Sequence, residues 1–466
     1  MKYLYGTSVQ GIQNFIFETN KLQEIAGASE IVEQICTEKY KEFIDKDKEK
    51  VEVLIAAAGN IKLLAESKDD LVKIVRSFPK AVQEFAPGIT ISQAVIPCIS
   101  DKPQKKDFIL LEQKLRIQRN KPIKPTEITA LGIERSRRTG KSAVLRKDRV
   151  IDRATLAKIN SRTTNLAKKL SPDNFSKFPK DFSNITKTKN NYSWLAVIHA
   201  DGNSLGKIIM NLEKIGLDLN TFSQRLNDAT IKSAKIAFES IIIPAEKNKY
   251  FPFSPIIIGG DDLTVICRAD LALDFIKKYL LEFEQNTEKN IGKKITACAG
   301  ISFVKEKYPF HYAIHLAEEL CGVAKKKSKN IDSENVPASI AFHKIQSSFV
   351  DSYKEIKERE LFAKSSNVRF DFGPYGLDDK INDLPSINEL IEKVKIINED
   401  EAPKSGIRKW LTELHNNKGT ADQLMDRIIQ ITDSKYSKKL ELEKNKNDSK
   451  TILYDVLTIA SLEGGE

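Results

Sequence analysis

The stretch Pro255-Ile256-Ile257-Ile258-Gly259-Gly260-Asp261-Asp262-Leu263-Thr264-Val265-Ile266 constrains the fold more than any other part of the chain. Two short apolar runs rich in β-branched residues flank two glycines and two acids, which predicts a β-hairpin with Asp261 and Asp262 at its tip. A second apolar run, Trp194-Leu195-Ala196-Val197-Ile198-His199-Ala200, reads as another strand, and Asp201-Gly202-Asn203-Ser204-Leu205-Gly206 turns it into a helix. If the hairpin and this strand are neighbours in one sheet, three carboxylates converge at its edge.

Carboxylates from separate strands, held side by side, suit two hard cations, Mg²⁺ or Mn²⁺. Such a pair activates an attacking 3′-hydroxyl and neutralises a leaving pyrophosphate. Asp201, Asp261 and Asp262 are therefore the candidate metal ligands and catalytic residues of an enzyme that joins nucleoside triphosphates. Gly259 and Gly260 leave room for a phosphate or ribose. The backbone N–H groups of Gly202, Asn203, Ser204 and Gly206 open a helix whose N-terminus favours anions. Lys325 lies in a lysine run that closes a helix expected from Tyr312 to Lys327, and it stands to reach the β- and γ-phosphates. Each feature has a plainer alternative: an ordinary turn, an N-cap at Asp201, a solvated helix end. Their combination points to nucleotide chemistry. His199, flanked by apolar residues, reads as packing.

The chain has 466 residues, too many for one ordinary core. Its pattern divides it into an α/β unit over 1–101, a basic, turn-rich insert over 102–190, a second α/β unit over 191–336 that holds the acids, and a mostly helical region over 337–466. The two α/β units share an order of strand, Gly-containing turn, helices, hairpin, helix and strand. Setting Gly11 against Gly206 places Gly6 opposite Asp201, and setting the hairpins together places Gly59 and Asn60 opposite Asp261 and Asp262. The first unit thus has the frame without the carboxylates. In the last region, Ser386 with Glu389 reads as a capping box.

A formal net charge of +11 favours phosphates, on nucleotides or on nucleic acid, although lysine-rich solubility explains it equally well. The insert concentrates this charge at Arg135, Arg137, Arg138, Lys141, Arg146, Lys147 and Arg149. That run reads either as a solvated surface or as an RNA contact made through Arg135, Arg137 and Arg138. Five scattered cysteines, none paired as C-x-x-C, speak against a disulfide framework and a cysteine zinc site. The start of the chain does not read as a signal peptide, and no apolar window reaches the ~18 residues of a membrane span. A reducing cytoplasm fits best.

The second α/β unit resembles the second palm domain of the large subunit of type III CRISPR effectors, the Cas10 family. The resemblance rests on His199-Ala200-Asp201-Gly202-Asn203-Ser204-Leu205-Gly206-Lys207, on the Gly259-Gly260-Asp261-Asp262 turn, and on Thr296-Ala297-Cys298-Ala299-Gly300-Ile301 with Ala317-Glu318-Glu319-Leu320. Residues 1–101 resemble the family's degenerate first palm, through Val9-Gln10-Gly11-Ile12-Gln13-Asn14-Phe15-Ile16 and Ala58-Gly59-Asn60. The resemblance implies an α+β fold with two ferredoxin-like palms, similar also to GGDEF diguanylate cyclases. It implies ATP as substrate, cyclic oligoadenylates as product and a part in antiviral defence. The partners it implies are nucleoside triphosphates, RNA, other CRISPR-type subunits or a second copy of the chain. With the first palm at the start of the sequence, the family's HD nuclease is expected to be missing. Arg135–Lys141 stands where the family often has zinc-binding cysteines, so zinc is not expected. The competing expectations are an RNA-binding scaffold subunit of low turnover and a diguanylate-cyclase-like enzyme.

Overall fold

The structure is a computed structural model that describes residues 1–44, 50–57, 59–101, 103–121, 132–146, 148–161, 165–187, 192–245, 249–347, 352–377 and 383–463. Ala58 of the first hairpin and Lys147 of the basic run lie outside the described residues.

The first palm begins with strand β1 (Tyr3–Gln10), followed by helices α1 (Ile12–Phe17) and α2 (Leu22–Thr37). The hairpin β2 (Val51–Ala57) and β3 (Asn60–Ala65) leads to α3 (Val72–Phe85) and β4 (Thr90–Pro97). The strands form an antiparallel sheet in the order β2-β3-β1-β4, the ferredoxin-like arrangement. Alternation sorts its side chains: Tyr5 and Val9 join α2 and α3 in one core, while Leu4, Leu64 and Ile96 face the other way. That second face is covered by α4 (Lys105–Arg119) through Leu111 and Leu115. The start of the insert is thus a helix docked on the first palm. Its only fully apolar buried contacts are one turn apart on a polar helix, which hid its periodicity.

The rest of the insert comprises the hairpin β5 (Ala143–Arg146) and β6 (Val150–Asp152) and the helices α5 (Arg153–Asn160), α6 (Asn165–Leu170) and α7 (Phe182–Thr186). Its cations are largely engaged. Arg138 and Arg149 both pair with Glu24 of α2, and Lys141 and Lys158 both pair with Glu18.

The second palm repeats the plan: β7 (Trp194–Gly202), α8 (Leu205–Ile209), α9 (Leu219–Ala237), the hairpin β8 (Phe253–Gly259) and β9 (Asp262–Arg268), α10 (Ala272–Ile291), β10 (Ala297–Lys305) and α11 (Phe310–Ile331). β11 (Ser339–Lys344) adds to β10 in parallel, so the sheet runs on past residue 336. The order is β14-β11-β10-β7-β9-β8, with the short β14 (Tyr375–Gly376) at the edge. Ala196, Ile198 and Ala200 face α9 and α10, whereas Leu195 and Val197 share a core with α11 and the first palm. Gly300 lets α11 lie directly on β10: a Cβ there would stand 2.0 Å from the Ala317 carbonyl oxygen and 2.4 Å from the Cys321 nitrogen. Each palm also lays a helix beside the other's hairpin, α2 along β8 and α9 along β2, and the Ser29 hydroxyl donates to the Ile256 carbonyl.

Beyond β11, α12 (Tyr353–Arg359) and a ribbon of β12 (Phe362–Ala363) and β13 (Val368–Arg369) precede β14. Six helices then follow: α13 (Ile387–Ile397), α14 (Lys404–Asn416), α15 (Lys418–Ile431), α16 (Ser434–Lys439), α17 (Leu442–Asn447) and α18 (Leu453–Glu463). The Ser386 hydroxyl accepts from the N–H groups of Asn388 and Glu389 and so caps α13. These helices share one continuous core with the second sheet, centred on residues such as Trp410 and Leu453. Among the described residues no helix is long and apolar enough to cross a membrane.

Candidate active site

The register of the second sheet puts the acids together. Ala200 pairs with Leu263 across β7 and β9, so the next residues outward, Asp201 and Asp262, stand opposite each other. Gly259 pairs with Asp262 and closes a two-residue turn of Gly260 and Asp261. Gly260 has φ 63°, the left-handed value that a type II′ hairpin requires at its first central position. Carboxylate oxygens of Asp201, Asp261 and Asp262 all lie within 4.8 Å of one another.

The turn is held from behind by α9. The Asn227 side-chain oxygen accepts the Gly260 N–H at 3.1 Å, and the Thr230 hydroxyl donates to the Gly260 carbonyl at 2.6 Å. Neither residue was singled out in the sequence, because their role depends on a helix placed against a turn some thirty residues away.

Three half-buried carboxylates so close cannot all remain ionised cheaply. Burial raises the pKa of Asp262 to about 7, with the Asp201 charge adding to the effect. Burial, the Asp262 charge and a hydrogen bond to Asp201 raise Asp261 as well. One cation lies among them: Lys325 of α11 pairs with Asp201 and donates to the Gly202 carbonyl at 2.9 Å. An all-oxygen set with surplus negative charge fits Mg²⁺ or Mn²⁺, and bound cations would relieve the repulsion that raises these pKa values.

A fourth acid borders the cluster. Glu318 of α11 acts electrostatically on Asp262, and its own pKa is raised by burial. The side chain of Gln13, from the first palm, donates to it at 2.5 Å. His199 lies two residues before Asp201 on the same face of β7. Its Nδ1 is 3.0 Å from the Thr264 hydroxyl, and burial pushes its pKa down to about 4, so the ring is neutral.

The turn after Asp201 is divided in its duties. Asn203 is buried; its N–H donates to the Thr296 carbonyl at 2.8 Å and its amide to the Thr296 hydroxyl at 3.0 Å. Asn203 therefore ties the turn to β10, and the outward N–H groups are left to the first turn of α8, from Ser204 to Gly206. Nothing lies within 4 Å of where a Cβ would stand on Gly206, which keeps that approach open. At Gly259 a Cβ would come 3.3 Å from the Asn227 side-chain oxygen.

The first palm has the same frame shifted from the sequence alignment. Ser204 begins α8 with φ 58° and Gly11 begins α1 with φ 64°. These two left-handed residues correspond, not Gly206 and Gly11. Ser8 pairs with Asn60 as Asp201 stands opposite Asp262. The residue matching Asp201 is therefore Ser8, and Gly6 lies two residues back in the strand. Ser8, Gly59 and Asn60 supply no carboxylate.

Arg135, Arg137 and Arg138 are not brought to the acids. The Arg135 guanidinium donates to the Gly140 carbonyl of its own loop at 3.2 Å, Arg138 pairs with Glu24, and Arg137 is exposed.

Residues 194–332 match the family model of the Cas10/Cmr2 second palm domain. Among solved structures, a Csm1–Csm4 cassette in complex with cA4 aligns over 99% of this chain and 70% of that one, at 14% identity and TM-score 0.54. A Csm1–Csm4 cassette in complex with AMPPNP aligns over 99% and 69%, at 14% identity and TM-score 0.51. Csm1 in T. onnurineus aligns over 99% and 69%, at 16% identity and TM-score 0.52. No curated protein matches the chain. The chain thus carries a Cas10/Cmr2-type second palm domain over residues 194–332 and shares the fold of the Csm1 structures over nearly its whole length.

Proposed function

We propose that this protein is a nucleotidyl cyclase that converts ATP to cyclic oligoadenylates, as members of the Cas10 palm family do. The observation that carries this reading is the convergence of Asp201, Asp261 and Asp262 within 4.8 Å, on a turn braced by Asn227 and Thr230. Asp201, Asp261 and Asp262 would hold two Mg²⁺ or Mn²⁺ ions, which supply Lewis-acid activation of a 3′-hydroxyl and charge neutralisation at the leaving pyrophosphate. The protein's own residues bind and orient the nucleotides. Lys325 meets phosphate oxygens as a mobile point charge beside Asp201. Gly259, Gly260 and Gly202 keep side chains out of the approach, and Ser204 and Gly206 offer N–H groups to phosphate. Solved relatives carrying cA4 and AMPPNP support adenine nucleotides as substrates, and their pairing with Csm4 supports work inside a multisubunit effector.

The domain roles follow the same reading. Residues 1–101 form a degenerate palm without a metal site of its own, 191–336 the catalytic palm, and 337–466 a helical support. In the insert, 102–190, exposed Arg137 with Arg135 remains the candidate RNA contact. The deciding experiment is incubation of purified protein with each nucleoside triphosphate and Mg²⁺ or Mn²⁺, followed by mass spectrometry. Cyclic oligoadenylate from ATP supports the reading; no product from any nucleotide, alone or with partner subunits and target RNA, overturns it.

A further inference from the structure

Helix α11 passes the acids with two opposite charges on one face. Glu318 and Lys325 are seven residues apart, two turns or about 10 Å along the axis. Lys325 pairs with Asp201, and the charge of Glu318 is felt at Asp262. Between them, on the same face, Gly322 is exposed and has nothing within 4 Å of where a Cβ would stand. The helix therefore presents an open notch with a cation at one end and an anion at the other.

A carboxylate beside a site for triphosphates repels their phosphates. Among the described residues no Lys or Arg pairs with Glu318; only the exposed His315, 3.4 Å from Glu319, offsets its charge when protonated. The Glu318 Oε1 accepts from the Gln13 amide at 2.5 Å, while Oε2 has no hydrogen-bond partner among the described residues. Gln13 stands on α1 of the first palm. The first palm thus holds the carboxylate by one oxygen and leaves the other as a free acceptor.

In an in-line displacement the attacking hydroxyl enters opposite the departing pyrophosphate. Lys325 beside Asp201 marks the phosphate side, so Glu318 beside Asp262 marks the acceptor side. The uncharged donors nearest the attacking oxygen of a nucleotide are its ribose hydroxyls; the adenine amine stands at the far end of the molecule. A carboxylate is a common partner of the ribose 2′-hydroxyl.

We infer that Glu318, held by Gln13, binds the 2′-hydroxyl of the acceptor nucleotide, aims its 3′-hydroxyl at the acids and so selects ribose over deoxyribose. This rests on the nucleotidyl transfer proposed above. In that step the acceptor 3′-oxygen bonds to the donor α-phosphorus, the bond to pyrophosphate breaks, and the hydroxyl proton passes to solvent. Glu318 binds the sugar, and Gln13 is a positioning residue.

The test supplies the full-length protein and Mn²⁺ with 3′-deoxy-ATP as donor, which permits a single transfer, and with the dinucleotide ApA or its 2′-deoxy form as acceptor. Both acceptors keep the terminal 3′-hydroxyl and differ only in the adjacent 2′-hydroxyl. The wild type should prefer ApA in kcat/KM by at least about tenfold, as for one hydrogen bond to a charged group. Glu318→Ala should bring that preference within about twofold, by losing activity on ApA and little on the deoxy acceptor. Glu318→Gln keeps an acceptor oxygen and the side-chain shape, and should retain part of the preference, as should Gln13→Ala. A merely structural role would lower both acceptors together and leave the ratio unchanged. Calorimetric binding of the two acceptors without donor reads the same ratio without turnover, so a protein that binds selectively but transfers nothing sinks the cyclase function and not the inference. Equal, or equally undetectable, binding of the two acceptors by the wild type overturns it, and so does a preference that survives Glu318→Ala. A tenfold loss of Mn²⁺ affinity in Glu318→Gln also overturns it, because Glu318 would then be a metal ligand.

Discussion

Lys325 reaches from α11 to pair with Asp201, although 123 residues separate it from the Gly202 carbonyl it also bonds. The ammonium thus sits at the rim of the acid cluster before any ligand arrives. Removing it should leave the carboxylates to bind cations and cost the phosphate contact. Lys325→Ala should lower kcat/KM for ATP by on the order of 10²-fold, as for loss of one preorganised charged donor. Steady-state kinetics checks this; a change within twofold would remove Lys325 from the machinery.

Asp261→Ala/Asp262→Ala should abolish product formation without unfolding the chain. Both residues are at a hairpin tip and outside the cores. Titration calorimetry with Mn²⁺ should also show loss of cation binding, since Ser8, Gly59 and Asn60 offer no substitute in the first palm. Cation binding that survives the double substitution would place the metal site elsewhere.

Asn227→Ala and Thr230→Val should act on the turn alone. Each removes one hydrogen bond to the Gly260 backbone, worth about 1 kcal/mol, and should lower the melting temperature by less than about 3 °C. Product formation should fall much further, because the turn aims Asp261 and Asp262. Equal, small effects on both readouts would show that the brace is only structural.

The acids also predict a pH dependence. The Asp262 carboxyl titrates near 7 in the folded protein against 3.8 ordinarily, and Asp261 is raised in the same direction. Between those values the metal-free folded state holds protons that the unfolded chain has released. Its stability is therefore greatest below about pH 4 on this account and falls as pH rises through 7. Melting temperatures without metal should drop from pH 6 to pH 8 more steeply for the wild type than for Asp261→Ala/Asp262→Ala. Mg²⁺ should stabilise the wild type more at pH 8 than at pH 6, since cation and proton compete for the same oxygens.

Much of the site was legible because its pieces are local. Alternating apolar residues and a glycine turn mark the hairpin, and an apolar strand ending on Asp201 marks its neighbour. The register of the first palm was misread because glycines were aligned with glycines. The position that needs a left-handed backbone is filled by Gly11 in one palm and Ser204 in the other. The polar helix α4 escaped because its buried face is only Leu111 and Leu115, with Asp107 buried in its cap. β11 was read into a helical region because its six residues gain their meaning from pairing with β10, a long-range event. The Gln13 contact with Glu318 in the other palm is longer-range still. The cations of the insert looked solvent-directed until Glu18 and Glu24 were brought beneath them by α1 and α2.

The close approach at Gly300 brings the main chains of α11 and β10 together, with no room for a side chain at that point. Because α11 rests on β10 there, the contact helps fix the offset of Lys325 from Asp201. A single methyl group added at Gly300 would push α11, and Lys325 with it, away from the sheet edge that carries the acids. The position acts as a spacer between the helix that carries Lys325 and the sheet that carries the acids.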